Sequence, residues 1–374
     1  MAMRRTGTAT LPLHGGRAPR WLFKRMVRLA RAISEALVDD LGPAGVLARL
    51  VDPFWFQAFG CLLGFDWHSS GMTTTVCGAL KEALRGTAGT TGLLVAGGKG
   101  AASRRTPDEL RDYSGRYSLP GEGLVYASRL AAKVDNNAVQ DGYQLYHHTF
   151  FVTTGGEWAV VQQGMRAADR TARRYHWLGR TVQSFVVEPH LAVCCDQTGP
   201  TLNLVAVEGQ ASRAAITTLS RRPHQDLLAE LARLSAATSA VPADPDLQLP
   251  ARHAVLREDI HPDRLAATLL RTYEAQAPSF EALLGLRGVG ARTLRALALL
   301  SEVLAGAPPS WRDPARFTFA HGGKDGHPFP VDRTTYDQTI EILETALRRA
   351  RLGAPDRLEA LRRLQHFAVP PAAS

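Results

Sequence analysis

The polar side chains best suited to chemistry are concentrated between positions 133 and 163. This stretch contains, in order, Lys133, Asp135, Asn136, Asp141, Tyr143, His147, His148, Gln162 and Gln163. Carboxylate, imidazole and amide groups that meet at strand ends can hold Mg²⁺ or Mn²⁺, and a nearby lysine can stabilise charge on a phosphate. The pattern predicts a metal centre with Asp135, Asp141 and His148 as ligands, Gln163 as second choice and Lys133 supporting the phosphate. The alternative is a buried polar network with the tyrosines as core residues.

Two further segments are candidates for the same site. Asp66 and His68 precede a predicted helix, and a helix start can bind phosphate. Lys99 lies in a Gly-Gly-Lys-Gly sequence (97–100) after a predicted strand, where loops often hold phosphate, although the pattern of an ATP site is missing. Ordinary turn chemistry is the alternative for both. A catalytic role would require Asp66 and His68 to join the Asp135 cluster across the fold.

The most distinct motif of the chain lies between positions 283 and 300. Its sequence, LLGLRGVGARTLRALALL, predicts two helices joined by the turn Gly288, Val289 and Gly290. Two glycines let the backbone approach a phosphate, the following helix start attracts an anion, and Arg292 and Arg295 add positive charge. The motif resembles the helix-hairpin-helix DNA-binding motif, which implies sequence-independent contact with the DNA backbone. The alternative is an ordinary helical hairpin.

A weaker resemblance concerns the segment that follows this motif. The stretch AHGGKDGHPFP (320–330), which contains Lys324, precedes Asp332 at a predicted helix start. DNA glycosylases of the helix-hairpin-helix superfamily have the same order, and the resemblance implies that Asp332 is a catalytic carboxylate. The spacing is longer than in that superfamily, and Arg292 stands where its bifunctional members have a nucleophilic lysine. Helix capping by Asp332 is the alternative.

The positive charge of the chain is concentrated at its N-terminus. The chain contains 44 Lys and Arg against 35 Asp and Glu, for a net charge of +9, but its first 31 residues contain no acidic residue. The basic residues there are Arg4, Arg5, Arg17, Arg20, Lys24, Arg25, Arg28 and Arg31. We interpret Arg17, Lys24 and Arg28 as a second DNA contact, alongside Lys99 and Lys324 elsewhere in the chain.

Composition also excludes several classes of protein. No apolar stretch of about 18 residues exists, so we expect no membrane span. The first residues lack the apolar core of a secretory signal, and the four cysteines form no C-x-x-C pair. We therefore expect a cytoplasmic, nucleoid-associated protein without a zinc ribbon or disulfide framework. The sequence leaves the oligomeric state open, with a homodimer as one option.

The elements that position these residues divide into two parts. We predict an α/β (α+β) domain with a mixed sheet at 1–234, a Pro- and Ala-rich linker at 235–252, an all-α domain with the hairpin motif at 253–367 and a tail at 368–374. Helices are predicted at 21–38, 73–85, 121–134, 334–350 and 355–367. Strands are predicted at 92–96, 144–153, 157–163, 183–188 and 202–207, with a hairpin turn at 155–156.

Several segments together resemble one family that is known as domain of unknown function 763, found in bacteria and archaea. They read TGTATLPLHGGRAPRWL, LLGFDWHSSGMTTTVCGALKEAL, VAGGKG, DNNAVQDGYQLYHH, WAVVQQGM and FAHGGKDGHPFPVDRTTYD. The resemblance implies one protein rather than a fusion, and it implies no activity. From the residues we predict a DNA-processing protein, a metal-dependent nuclease. The alternatives are a DNA glycosylase that uses Asp332 and a non-catalytic DNA-binding repair scaffold.

Overall fold

The computed structural model describes residues 19–64, 71–168, 171–195, 198–240, 262–315 and 333–368. The helices that begin before β2 are α1 (Arg20–Leu50), α2 (Pro53–Leu62), α3 (Gly71–Ala83), α4 (Ala88–Thr91), α5 (Ala101–Arg104), α6 (Thr106–Tyr117) and α7 (Gly121–Lys133), and β1 of the sheet lies between α4 and α5. Those after it are α8 (Gln210–Ser220), α9 (His224–Ala240), α10 (Pro262–Ala275), α11 (Phe280–Gly285), α12 (Ala291–Ala305), α13 (Arg333–Arg349) and α14 (Ala354–Ala368). All five predicted helices are confirmed. No described helix is long and apolar enough to cross a membrane.

The sheet is antiparallel throughout, so the prediction of a mixed sheet is wrong. Its strands are β1 (Leu93–Lys99), β3 (Gln144–Thr153), β4 (Trp158–Arg166), β5 (Thr171–Leu178) and β6 (Ala192–Cys194), in the order β1-β3-β4-β5-β6. The short strands β2 (Val139–Gln140) and β7 (Leu202–Asn203) form a separate pair. The predicted hairpin at 155–156 is confirmed, because β3 and β4 pair on either side of it.

Two strand predictions need correction, and one long strand was not predicted. Residues 183–188 form turns rather than a strand, and the predicted strand at 202–207 shrinks to β7. β5 was not predicted from the sequence, because Arg173 and Arg174 interrupt its apolar pattern. The structure buries every residue of β5, including both arginines. A buried cation needs a partner inside the protein, and these partners come from distant parts of the chain.

The two faces of the sheet cover two separate apolar cores. Alternate residues of a strand point to opposite faces. Leu94, Phe150, Val160 and Trp177 belong to the first core, and Val95, Phe151, Val161 and Leu178 belong to the second. Burial of apolar surface on both faces is the main source of stability for such a sheet.

Helices from beyond the predicted linker contribute to both cores. Leu269 of α10, Leu283 of α11 and Leu294 of α12 lie in the first core, whereas Leu343 of α13 and Leu364 of α14 lie in the second. The described C-terminal helices therefore pack on the two sides of the sheet. The domain boundary at 235–252 stays a prediction, and residues 241–261 lie outside the described part of the chain.

Candidate functional site

The strand register brings three of the sequence motifs side by side. Gly98 of β1 pairs with His148 of β3, His148 pairs with Gln162 of β4, and Gln162 pairs with Tyr175 of β5. Residues that pair directly across antiparallel strands share one face of the sheet. The neighbouring row, Lys99, His147, Gln163 and Arg174, points to the opposite face. The polar stretch of the sequence is thus divided between two sites.

Asp135 is the centre of the first site and is fully buried. Its Oδ2 accepts hydrogen bonds from Gln162 Nε2 at 2.5 Å and from Trp177 Nε1 at 3.0 Å, and its Oδ1 lies 2.5 Å from His190 Nε2. Burial raises the pKa of the Asp135 carboxyl, while His190, Trp177 and Gln162 act in the opposite direction. Three side chains thus bind the two oxygens of one buried carboxyl group.

The network continues from Gln162 to Ser128. His148 Nδ1 lies 2.8 Å from Gln162 Oε1, and His148 Nε2 lies 2.9 Å from Ser128 Oγ on α7. The amide nitrogen of Gln162 donates a hydrogen bond to Asp135, so the amide oxygen of Gln162 is the atom that faces His148. This oxygen can only accept a hydrogen bond, which assigns the proton of His148 to Nδ1. Burial lowers the pKa of His148 to about 4, so this imidazole is neutral at pH 7.

A π-helical turn at Val134–Ala138 presents Asp135 to this network. Such turns are rare, and when they interrupt an α-helix they often lie at functional sites. Here the turn ends α7, and Asp135 points into the first core while Lys133 contacts the C-terminal helices. The turn therefore connects the buried network to the predicted DNA-binding motif.

Asp141 belongs to a different network from Asp135 and His148. Its Oδ2 accepts hydrogen bonds from Arg173 Nη1 at 2.9 Å and from Tyr175 Oη at 2.6 Å, and Arg173 Nη2 donates to Asp313 Oδ2 at 2.9 Å. Burial disfavours the charged form of Arg173, but Asp141 and Asp313 raise the pKa of Arg173 well above its usual range. Asp141 is therefore the partner of a buried cation.

The predicted ligand set of Asp135, Asp141 and His148 does not form in the structure. Both oxygens of Asp135 have protein partners, and Asp141 is held by Arg173 and Tyr175. In the described ranges, no group of three or more His, Cys, Asp or Glu residues could hold a metal ion. The side chains present do not fit the predicted Mg²⁺ or Mn²⁺ centre, because the predicted ligands bind protein partners instead.

Gln163 and Arg174 lie on the opposite face of the sheet, among α2 and α3. Thr73 Oγ1 donates to Gln163 Oε1, and Gln163 Nε2 donates to the hydroxyl of Tyr146. Arg174 Nη2 donates to Gln57 at 3.2 Å, and burial lowers the pKa of Arg174 to about 10. The side chain of Gln163 therefore points away from Asp135. The predicted site residues Asp66 and His68 lie outside the described residues.

The Gly-Gly-Lys-Gly segment has its backbone bound by neighbouring side chains. Gly97 N–H donates to Glu109 at 2.6 Å, and Lys81 Nζ donates to the Gly97 carbonyl at 2.7 Å. Lys99 is exposed, with its Nζ 5.7 Å from the centre of the Tyr146 ring. These side chains bind the backbone groups of Gly97 at the outer edge of β1. This arrangement favours protection of an edge strand over phosphate binding at Gly97.

The two helices and the glycine turn predicted around Gly288 are present as a local structure. α11 ends at Gly285, α12 begins at Ala291, and Val289 between them is buried. Gly288 has φ +93°, a conformation that favours glycine, and Gly290 has an extended backbone. The first turn of α12 has no acidic residue and no side-chain cap. The amide groups of a helix start and its dipole favour an anion.

Basic residues surround this turn. Arg287 and Arg292 are exposed beside it, and Arg271 Nη1 donates to the Arg287 carbonyl at 3.3 Å. Arg295 is directed elsewhere, since its Nε donates to Gln140 Oε1 at 2.7 Å. Lys133 donates to three carbonyls of the turn region, those of Leu284 at 2.6 Å, Leu286 at 2.5 Å and Val289 at 3.3 Å.

The structure describes only two residues of the predicted second DNA contact at the N-terminus, Lys24 and Arg28. Lys24 is exposed on α1, and Arg28 lies 3.4 Å from Asp356 of α14. Part of this basic helix face thus pairs with acidic residues of the chain itself. Arg17, Lys324 and the glycosylase candidate Asp332 lie outside the described residues.

Four residues of the observed networks were not predicted from the sequence: His190, Trp177, Arg173 and Asp313. His190 follows Asp135 by 55 positions, and Asp313 follows Arg173 by 140 positions. No spacing rule connects residues so far apart. The only local signal was the Arg-Arg pair inside a run of strand-forming residues, which predicts buried ion pairs only once the strand is recognised.

Fold and site together define an α/β protein whose antiparallel sheet carries buried acid–imidazole and acid–guanidinium networks. The family described as "Protein of unknown function (DUF763)" matches residues 7–331, and the chain belongs to this family. This match confirms the resemblance of the sequence motifs. No curated protein and no solved structure matches the chain.

Proposed function

We propose that the protein binds the DNA phosphate backbone at the glycine turn, Leu286–Ala291, and the start of α12. The observation that carries this proposal is the turn itself. Val289 is buried under the turn, Gly288 and Gly290 present backbone without side chains, and Arg287 and Arg292 are exposed beside it. Such a surface attracts a phosphate but reads no base, so we expect sequence-independent binding.

Gly290 offers a sharp test because its surroundings tolerate a side chain. A Cβ at Gly290 meets no atom within 4 Å, and its φ of −130° suits any residue. We expect Gly290→Glu to weaken DNA binding at least about tenfold, since it places a carboxylate at the phosphate position. Gly290→Ala is the matched control and should bind like the unchanged protein. Fluorescence anisotropy with labelled duplex and single-stranded DNA measures both.

Two results would contradict DNA binding at this turn. One is equal affinity of Gly290→Glu and Gly290→Ala. The other is an affinity of the unchanged protein that does not fall with salt, because each phosphate contact contributes about 0.9 to the slope of log K against log salt.

DNA cleavage is a second candidate function, and the pairing of Asp135 with His190 favours it. A buried carboxylate that orients an imidazole is the arrangement of a general base, which takes a proton from an attacking water. His190 lines a cavity of about 10 Å³ together with Glu188 and Asn203, which is about the space of one water molecule. Cleavage would require this cavity to open to the substrate.

Cleavage is tested on supercoiled and end-labelled DNA with Mg²⁺, Mn²⁺ or EDTA. We expect strand cleavage that is lost in Asp135→Asn and His190→Gln, with the partly exposed His224→Gln as control. The EDTA arm tests the predicted metal requirement. If the pure, folded protein cleaves DNA under none of these conditions, cleavage is excluded in favour of the non-catalytic repair scaffold. Abasic-site formation that Asp332→Asn abolishes would instead support the glycosylase alternative.

A further inference from the structure

Lys133 occupies an unusual position between the two halves of the chain. It is the last residue of α7, it is partly buried, and its Nζ lies within hydrogen-bond distance of the carbonyls of Leu284, Leu286 and Val289. The first two carbonyls belong to the end of α11 and its C-cap residue, and the third lies inside the glycine turn. One ammonium group thus connects both sides of the turn that we propose to bind DNA.

An ammonium group has three hydrogens to donate. The three carbonyls account for all of them, so Lys133 has no remaining donor for a phosphate. Burial also lowers the pKa of Lys133, which is the direction expected for a lysine directed into the protein. The sequence pattern predicts that Lys133 supports a phosphate, but in the structure its ammonium group binds the backbone of the turn.

The helix that precedes the turn needs such support. α11 has only six residues, and a helix this short is not stable by its own hydrogen bonds. The last carbonyls of a helix lack partners within it, and a cation near its C-terminus compensates for them and for the helix dipole. With these carbonyls bound to Lys133, the turn is held in one conformation.

Gln140 supports the other side of the turn in the same way. Its Nε2 donates to the Ala291 carbonyl at 2.8 Å, and its Oε1 accepts from Arg295 Nε at 2.7 Å. Lys133 and Gln140 lie at the two ends of the segment that contains the π-helical turn. One short segment of the N-terminal part therefore holds the turn and the first residues of α12.

We propose that Lys133 is a positioning residue for nucleic-acid binding, and that the DNA site is built jointly by the end of α7 and the glycine turn. This inference rests on the proposed DNA binding. Lys133 holds the turn in the conformation that presents its amide groups to a phosphate. The C-terminal helices alone would lack this support, so the N-terminal part is a component of the binding site.

The test compares Lys133→Ala with Lys81→Ala in the full-length protein. Lys81 of α3 is a matched control, since it is a partly buried lysine that also donates to a backbone carbonyl, but that carbonyl belongs to Gly97 at the outer edge of β1. We expect Lys133→Ala to lose on the order of tenfold in DNA affinity. The slope of log K against log salt should stay unchanged, because no phosphate contact is removed. Lys81→Ala should keep the affinity of the unchanged protein.

Chemical rescue separates the ammonium contact from a general loss of structure. Lys133→Ala lacks the propylammonium part of the lysine side chain. We expect propylammonium chloride to restore affinity, whereas sodium chloride at equal concentration and propanol do not. Gln140→Leu is a second variant in case Lys133→Ala does not fold, and it should weaken binding with the same unchanged salt slope.

The outcomes distinguish this inference from the proposed function. If the unchanged protein does not bind DNA, the proposed function fails. If it binds, equal affinity of Lys133→Ala and the unchanged protein overturns the positioning role. A salt slope that falls by about 0.9 in Lys133→Ala would also overturn it, because Lys133 would then contact a phosphate directly. Loss of affinity without rescue by propylammonium would exclude the ammonium–carbonyl contact as the cause.

Discussion

Burial decides the charge of single residues in the sheet. Burial lowers the pKa of His147 to about 3 and that of His148 to about 4, and it lowers the pKa of His176 to well below its ordinary value. In the unfolded chain each imidazole takes up a proton near pH 6.5. All three histidines are therefore neutral in the folded protein at pH 7, and only the unfolded chain gains protons as the pH falls.

This difference predicts loss of stability in mild acid. The contribution of the three imidazoles is fully present above about pH 6.5, and it is lost as the pH falls toward 4. At pH 5 each imidazole should lower the free energy of unfolding by about 2 kcal/mol relative to pH 7. Urea unfolding at pH 7, 6 and 5 measures this. His148→Gln should reduce the number of protons taken up on unfolding by up to one, which makes the free energy of unfolding less dependent on pH. A free energy of unfolding that is constant from pH 7 to 5 would contradict the prediction.

At the scale of elements, the segment Ser310–Ala315 is held by Arg173 of β5 and by the backbone at the start of β7. Asn203 N–H donates to the Ser310 carbonyl at 2.8 Å, and Thr201 N–H donates to the Trp311 carbonyl at 3.1 Å. Asp313 binds Arg173 of β5 through two nitrogen–oxygen contacts of 3.0 and 2.9 Å. This segment lies beside the His190 cavity, which Pro314 lines. Its attachment therefore controls how enclosed that cavity is.

Asp313→Ala should loosen this segment. It removes one of the two carboxylates that compensate the buried Arg173 charge, and we expect the free energy of unfolding to fall by about 3 kcal/mol. Amide hydrogen exchange at Thr201 and Asn203 should become faster. Asp112→Ala, which breaks only an exposed pair with Arg116, is the control and should change stability by less than about 1 kcal/mol. Equal effects of the two variants would show that the Asp313 pair does not fasten the segment.

At the scale of the whole molecule, helices from the N-terminal and the C-terminal part of the chain pack against the two faces of the sheet. α10, α11 and α12 add apolar side chains to one core, and α13 and α14 add them to the other. The same arrangement joins the glycine turn to α7 through Lys133. Burial of each C-terminal helix therefore depends on the N-terminal part.

Separation of the chain at the predicted linker tests this dependence. We expect the fragment 253–374 to lack a cooperative thermal transition by circular dichroism, because its apolar faces pack mainly on the sheet and its helices. Mixing it with the fragment 1–240 should restore helix content and produce a complex that co-elutes in gel filtration. A cooperative transition of the isolated 253–374 fragment would instead support an independent C-terminal domain, as the linker composition predicts.

Local patterns predicted much of the fold. The spacing of apolar residues predicted the helices, and alternation around Gly155 and Gly156 predicted the β3–β4 hairpin. β5 was missed because a pattern rule treats Arg173 and Arg174 as exposed residues. The residues at 183–188 have strand-like composition but no neighbouring strand with which to pair. Pairing partners and buried ion pairs depend on contacts between distant segments, which a local pattern does not contain.

The sequence alone determined the predicted helices, the β3–β4 hairpin, the family and part of the candidate site, since helix and strand periodicity, the glycine turn and the family motifs are local properties. Only the tertiary structure decided how those residues combine. It joined Asp135 to His190, assigned Asp141 to Arg173, and directed Lys133 to the turn around Val289. The physical reason is that a buried charge or polar group takes the partner that folding brings within hydrogen-bond distance, wherever that partner lies in the sequence.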